Sequence, residues 1–329
     1  MSLPVTLACW DYDRTHALQT GAVRAEGIDL TYLPLPVEET FFRMLRHREF
    51  DAAEMSMSSY VMTLGQESPP FIAIPVFPSR AFRHSCVFVN ENSGIREPKD
   101  LVGKVVGTPE FQMTAAVWIR GILAEHHGVA IDSVRYRTGG LESPNRPEKV
   151  KLTLPDGVEV EPLGDGETLS AMLASGEIDA LYTARMPSSF VDRAPGVVRL
   201  FPDSRATETA YFEQTGIFPI MHVVALRREV HERHPWVAGE LFKAFERSRK
   251  EAVAGLYETA ALKHMLPWLV QEVEVTRTAL GDDFWPYGLQ ANRRVLEAFL
   301  GYSHAQGLSP RLLTPEEMFA PATLESFVI

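Results

Sequence analysis

The stretch Lys104–Gly128, KVVGTPEFQMTAAVWIRGILAEHHG, decides how the chain is read. Lys104-Val105-Val106 reads as a strand end, and Gly107-Thr108-Pro109 breaks it. Ile119, Ile122 and Leu123 then recur at helical spacing, and Gly128 stops the helix. A strand passing through a short polar turn into a helix is the repeating unit of an α/β protein. The first turn of such a helix has backbone N–H groups without intrahelical partners, and with the helix dipole they suit a carboxylate. Glu110, Phe111, Gln112 and Thr114 line that turn and are candidate site residues. An ordinary βα connection has the same pattern, so the surrounding chain has to decide.

Working outward, two segments echo each other. Phe50-Asp51-Ala52-Ala53-Glu54-Met55-Ser56 runs into Met57-Ser58-Ser59-Tyr60. Ile178-Asp179-Ala180-Leu181-Tyr182 runs on to Pro187-Ser188-Ser189-Phe190. Each follows an amphipathic helix: Phe41 and Leu45 mark the first, and Leu169, Met172 and Leu173, closed by Gly176, mark the second. Two similar units predict two lobes of similar build, within the reach of 329 residues. Val5–Ala8, Ile28–Leu33, Phe71–Val76, Val134–Arg137 and Val197–Phe201 read as further strands. His84–Val89 and Ile217–Leu226 read as the two crossings between lobes, giving lobe I as 1–89 with 220–329 and lobe II as 90–219. Lys149–Leu154 and Val158–Val160, around Pro155-Asp156-Gly157, read as a hairpin. Beyond Pro235 the chain is helical, with stripes Val237/Leu241/Phe245 and Val295/Phe299. Phe284-Trp285-Pro286-Tyr287-Gly288 interrupts that tail.

Composition narrows the function. Hydrophobic residues make up 45% and charged residues 23%, and the net charge is −11. So acidic a chain is a poor nucleic-acid binder, although local basic groups can still hold a small anion. The two cysteines, Cys9 and Cys86, have no metal spacing and read as buried thiols. The N-terminus has no basic, apolar leader and no run is long enough to cross a membrane, so the expectation is a cytoplasmic protein without a membrane partner. A homo-oligomer is compatible with the long helical tail. Arg14, directly after the first strand, could grip a carboxylate or pair with Asp11 or Asp13. Arg80, Arg83 and His84 stand beside aromatic residues. His222 is the ionisable residue of its strand.

Tyr12-Asp13-Arg14-Thr15, Phe50–Ser56, Ile74-Pro75-Val76-Phe77-Pro78-Ser79-Arg80-Ala81-Phe82-Arg83-His84-Ser85 and Arg137-Thr138-Gly139-Gly140 together resemble the 4,5-dihydroxyphthalate decarboxylase family. The resemblance runs from Trp10 to the C-terminal helices and is most specific over Ile74–Ser85. It implies an α/β, two-lobed type II periplasmic-binding-protein fold, with a ligand cleft between the lobes and a helical C-terminal region. It also implies a carboxy-lyase that converts a hydroxylated aromatic dicarboxylate, most like 4,5-dihydroxyphthalate, to 3,4-dihydroxybenzoate and CO2. The fold also serves solute-binding proteins, so a non-catalytic receptor for an aromatic carboxylate is the alternative.

Cofactor-free decarboxylation of such a ring needs a proton at the carbon that bears the departing carboxylate. It also needs a cationic clamp for the retained carboxylate and an acceptor for the para hydroxyl's hydrogen. Arg14, Arg80, Arg83 and Arg185 are candidates for the clamp, supported by Ser56, Ser58 and the amides near Thr114. His84 or His222 is the expected acid, since histidine alone titrates near neutrality when unperturbed. Glu54 or Glu110 is the expected acceptor. Phe82 or Phe111 would line the apolar pocket of the departing carboxylate, with Gln112 beside it. A divalent metal held by His84, His222, Glu54 and Glu110 is a further alternative, without a sequence signature.

Overall fold

A computed structural model describes residues 2–145, 148, 150 and 152–325. The chain divides into two compact units. The first comprises Met1–Arg80, Ile220–Leu296 and Leu313–Ile329, and the second Ala81–Pro219 and Glu297–Leu312. In chain order the first unit supplies β1 (Leu3–Ala8), α1 (Asp13–Gln19), β2 (Ile28–Leu33), α2 (Val37–His47), β3 (Ala52–Ser56), α3 (Met57–Leu64) and β4 (Phe71–Ile74). The second supplies β5 (Val87–Asn90), β6 (Val105–Thr108), α4 (Thr114–His127), β7 (Arg135–Thr138), β8 (Glu159–Pro162), α5 (Leu169–Ser175), β9 (Ala180–Tyr182), α6 (Ser188–Val191), β10 (Val197–Arg199) and α7 (Ser204–Thr215). The chain then returns through β11 (His222–Arg227), α8 (Arg228–Arg233), α9 (Trp236–Gly255), α10 (Leu269–Leu280) and α11 (Leu289–Ala305).

The two sheets are built alike. The first has the order β2-β1-β3-β11-β4, and the second β10-β5-β9-β6-β7-β8. Each has a strand paired in parallel with two neighbours, β1 with β2 and β3, and β6 with β7 and β9; in the second sheet β7 is also paired in parallel on both sides, with β6 and β8. In each, one strand then runs antiparallel between two others: β11 between β3 and β4, and β5 between β9 and β10. The echoed Asp-Ala pairs have one physical cause. Asp51 accepts from Thr6 N at 2.9 Å, and Asp179 accepts from Val105 N at 2.8 Å. Each aspartate thus holds the β strand it enters against the parallel neighbour. The central strands are buried on both faces and read as continuous apolar runs. Val223, Val224, Ala225 and Leu226 of β11 are buried, and β4, although it ends the sheet, is buried throughout as well. Phe88, Leu169, Leu173, Ile178, Leu181 and Val197 form a core cluster in the second unit, each side chain contributing about 1.5–3 kcal/mol by burial.

Several expectations are corrected. His84–Val89 is not one strand: His84–Cys86 is a 3-10 turn, and only Val87–Asn90 extends, in the second sheet. The first unit's opening segment therefore ends at Arg80, not residue 89. Glu297–Leu312 belongs to the second unit, because Trp118 packs on Phe299 and Tyr302 and Arg120 donates to Gln306 at 2.8 Å. The return strand begins at His222 rather than Ile217. Gly107 and Thr108 continue β6 instead of breaking it. Ile178 and Leu169 occupy the space a side chain at Gly107 would need. The first arm of the expected hairpin includes Lys149 and Lys151, which lie outside the described residues. Its second arm is β8, which pairs in parallel with β7.

The Gly139-Gly140 pair of the family motif has a steric reason. A Cβ on Gly140 would lie 1.5 Å from Ser143 O, a backbone atom that cannot swing aside. Gly140 O also accepts from Leu169 N at the start of α5. Gly140→Ala is expected to destabilise by about 1–3 kcal/mol or more, read as a lower Tm. An unchanged Tm would show that the turn adapts freely.

Candidate functional site

In the first unit the ends of β1, β3 and β11 bring one carboxylate and one imidazole together. Glu54, on β3, is fully buried. Its Oε1 lies 2.6 Å from His222 Nδ1 and accepts from the Tyr12 hydroxyl at 2.7 Å. Its Oε2 accepts from Trp10 N at 3.0 Å and lies 3.5 Å from Cys9 Sγ. A carboxylate has about four lone-pair positions, and here four donors meet them. Burial alone would raise the Glu54 pKa. The hydrogen bond and charge of His222, with the Trp10 N–H and Tyr12 hydroxyl, outweigh it and hold the carboxyl below its usual value. Burial and the nearby Glu54 charge push the Cys9 thiol and the Tyr12 phenol up, so both remain protonated donors. Tyr32 donates to Trp10 O at 2.9 Å and thereby holds the turn that presents Trp10 N.

The consequence for His222 is tautomeric. An ionised carboxylate at Nδ1 makes that nitrogen the N–H donor and fixes the ring, which leaves Nε2 for chemistry. The Phe41 ring stands edge-on to the imidazole, with centroids 4.9 Å apart. The His222 side chain is 18% exposed, so it is reachable while oriented from below.

Arg14 opens α1 in the same unit. Its guanidinium lies 4.0 Å from the Tyr12 ring and 4.4 Å from the Trp285 ring. Nε donates to Pro78 O at 2.6 Å and Nη1 to Asp13 at 3.0 Å. Nη2 makes no hydrogen bond among the described residues, and the side chain is 18% exposed. Arg80 is buried instead, donating to Pro286 O and Asn292 Oδ1, so it supports the structure beside Arg14. Ser56 pairs in register with His222 across β3 and β11, and Ser58 is buried in α3.

The remaining candidates lie in the second unit. Glu110 is buried and accepts from Gln112 Nε2 at 2.7 Å. The Phe111 amide donates to the chain's own Glu148. The Phe111 ring packs under Arg120, whose guanidinium is 3.8 Å from it. Thr114 is the buried first residue of α4. Arg83 is buried and donates to Ala184 O, Arg185 is exposed, and Phe82 packs on Phe218 and Phe212. Cys86 is half-buried, unlike Cys9.

His84 differs sharply from His222. It is 3% exposed and packed by Phe201, Tyr211 and His127, and its Nδ1 has no hydrogen-bond partner among the described residues. Burial, with His127 and His126 nearby, pushes its pKa down to about 4. It is therefore neutral at pH 7 and a poor proton donor. The unfolded value is about 6.5, so the folded pKa is depressed. The stability this provides is intact above about 6.5 and is lost as pH falls toward 4. The loss should reach about 3 kcal/mol, and in urea titrations at pH 7 and pH 4.5 His84→Gln should flatten it. Equal pH slopes in variant and parent would refute this.

No group of three or more His, Cys, Asp and Glu side chains among the described residues could hold a metal ion. No helix among them is long and apolar enough to cross a membrane. Cys9, Tyr12, Tyr32 and Phe41 are not among the candidate site residues read from the sequence. The signal that points to them is the position of Cys9–Tyr12 directly after a first strand.

No protein-family model matches the chain. Over 327 residues it is 43% identical to a curated 4,5-dihydroxyphthalate decarboxylase from Comamonas testosteroni, covering 99% of each chain. The chain belongs to the 4,5-dihydroxyphthalate decarboxylase family. A relative of the same name from Pseudomonas putida is 41% identical over 210 residues, which are 64% of this chain and 81% of that one. Among solved structures, the periplasmic aliphatic sulphonate-binding protein of Escherichia coli matches with a TM-score of 0.53 at 12% identity, covering 98% and 99% of the two chains. The alkanesulfonate-binding protein of Xanthomonas axonopodis pv. citri, bound to MOPS, gives 0.53 at 12% identity, covering 97% of each. These likenesses show the fold, so this decarboxylase-family chain has the periplasmic-binding-protein fold. In this decarboxylase-family chain the Glu54 carboxylate is met by four groups of its own chain, Cys9, Trp10, Tyr12 and His222.

Proposed function

We propose that this protein decarboxylates 4,5-dihydroxyphthalate to 3,4-dihydroxybenzoate and CO2 without an added cofactor. Whole-length identity to a protein of that name carries the substrate assignment. The buried Glu54–His222 pair favours catalysis over simple capture, because a receptor for an anion gains nothing from an imidazole fixed by a carboxylate.

In this reading Arg14 binds the retained carboxylate through its remaining N–H donors. His222 acts as the acid. Its Nε2–H protonates the ring carbon that bears the leaving carboxylate, while the para hydroxyl pushes electrons into the ring and releases its hydrogen to an acceptor other than Glu54. The C–CO2 bond then breaks, its electron pair restores the aromatic ring, and the phenol recovers its hydrogen. One proton is consumed per turnover, and His222 regains it from water. Glu54 stabilises the imidazolium before transfer and keeps Nδ1–H directed inward throughout.

Product analysis tests this reading. Metal-stripped protein is incubated with 4,5-dihydroxyphthalate, and CO2 and 3,4-dihydroxybenzoate are quantified. Stoichiometric formation of both supports it. Turnover restored only by a divalent ion would overturn the cofactor-free mechanism, and binding without turnover would favour a solute-binding role.

A further inference from the structure

The break between α10 and α11 is held at more points than a connection requires. Gly288 N donates to Pro75 O at 2.8 Å, and Trp285 Nε1 donates to Phe77 O at 3.0 Å. Pro286 O accepts from Arg80 at 2.8 Å and from Asn292 at 3.0 Å. Tyr287 is buried edge-on to Phe77. At the head of this segment Asp283 accepts from Arg249 Nη1 at 2.6 Å. Arg249, on α9, is 6% exposed, and its other side is gripped by both oxygens of Glu246, at 2.9 and 2.6 Å. Two residues after Asp283 the Trp285 ring lies against the Arg14 guanidinium.

We propose that the Arg249–Asp283 pair is a latch that sets Trp285 against Arg14 and so holds the carboxylate clamp in one orientation. This rests on Arg14 being the group that binds the retained carboxylate. A guanidinium offers its donors in a planar fork, so its orientation decides whether a carboxylate is met by two bonds or one. The rings of Tyr12 and Trp285 restrict that plane, and cation–π attraction holds it there. Arg249, Asp283 and Trp285 are positioning residues in this scheme.

The latch can be opened without burying an unpaired charge. The Asp283 side chain is 58% exposed, and Arg249 keeps its two bonds to Glu246 when Asp283 is removed. Asp283→Ala is expected to raise KM for 4,5-dihydroxyphthalate about 10-fold, with kcat within about twofold, because misplaced binding groups weaken the clamp before they affect the acid. Asp283→Glu should recover most of the loss. Trp285→Ala should raise KM similarly, and Asp283→Ala/Trp285→Ala should be no worse than Trp285→Ala alone, since both changes act through one ring.

An unchanged KM in Asp283→Ala, a fall in kcat at constant KM, or additive effects in the double variant would overturn the latch. Arg14→Gln is the control and should raise KM on the order of 30-fold or more. If its KM stays that of the parent, the clamp assignment falls and takes the latch with it. If Arg14→Gln responds while Asp283→Ala does not, the latch alone falls.

Discussion

His222→Ala is expected to lower kcat by about 10²–10⁴-fold, the usual contribution of a positioned general acid, while KM stays within a few-fold. The separation follows from the geometry. His222 bonds to Glu54 and not to Arg14, so its loss leaves the arginine's contacts with Tyr12, Trp285, Asp13 and Pro78 in place. Steady-state release of CO2 and 3,4-dihydroxybenzoate gives kcat and KM directly. In D2O the parent should place one deuterium on the ring carbon vacated by CO2. His84→Ala, by contrast, should retain most of its kcat once its lower stability is allowed for. Full turnover by His222→Ala would remove it as the acid.

Glu54→Gln should be nearly as damaging to kcat, on the order of 10²-fold or more, although Glu54 touches no substrate in this scheme. An amide can present N–H to His222 Nδ1 and so favour the opposite tautomer, the known weakness of exchanging a carboxylate for an amide behind a catalytic imidazole. The same change should lower stability. Glu54 receives donors from Cys9, Trp10, Tyr12 and His222, and an amide oxygen has two lone pairs for them. Each buried donor left without a partner costs about 1–3 kcal/mol. Tyr12→Phe separates the two effects, because it removes one donor and keeps the carboxylate against His222. Its kcat should lie far above that of Glu54→Gln. Equal losses in the two variants would mean that packing, not tautomer, controls the imidazole.

The sequence by itself determined the pieces that depend on neighbours a few residues away. Apolar periodicity marked α4 and its stop at Gly128, where the backbone adopts the left-handed conformation that glycine tolerates. The Asp51-Ala52 and Asp179-Ala180 echo marked two sheets of matching topology, because each aspartate bonds the adjacent parallel strand in the same way. The family motifs, matched along the chain, named the substrate class.

Long-range pairing alone decided the rest. Gly107 reads as a strand break until Ile178 and Leu169 are seen to fill its empty side. Pro155-Asp156-Gly157 reads as a turn, and the partner that β8 finds in β7 is not legible from it, since turn chemistry is local and strand pairing is not. His84 and His222 look equivalent as letters. One is enclosed by Phe201, Tyr211 and His127 and loses its proton, and the other meets a carboxylate 168 residues away. No local pattern reveals that three donors from the segment after β1 and one from β11 converge on Glu54. Burial and hydrogen-bond saturation are properties of the assembled core, and they set the surroundings of these ionisable groups.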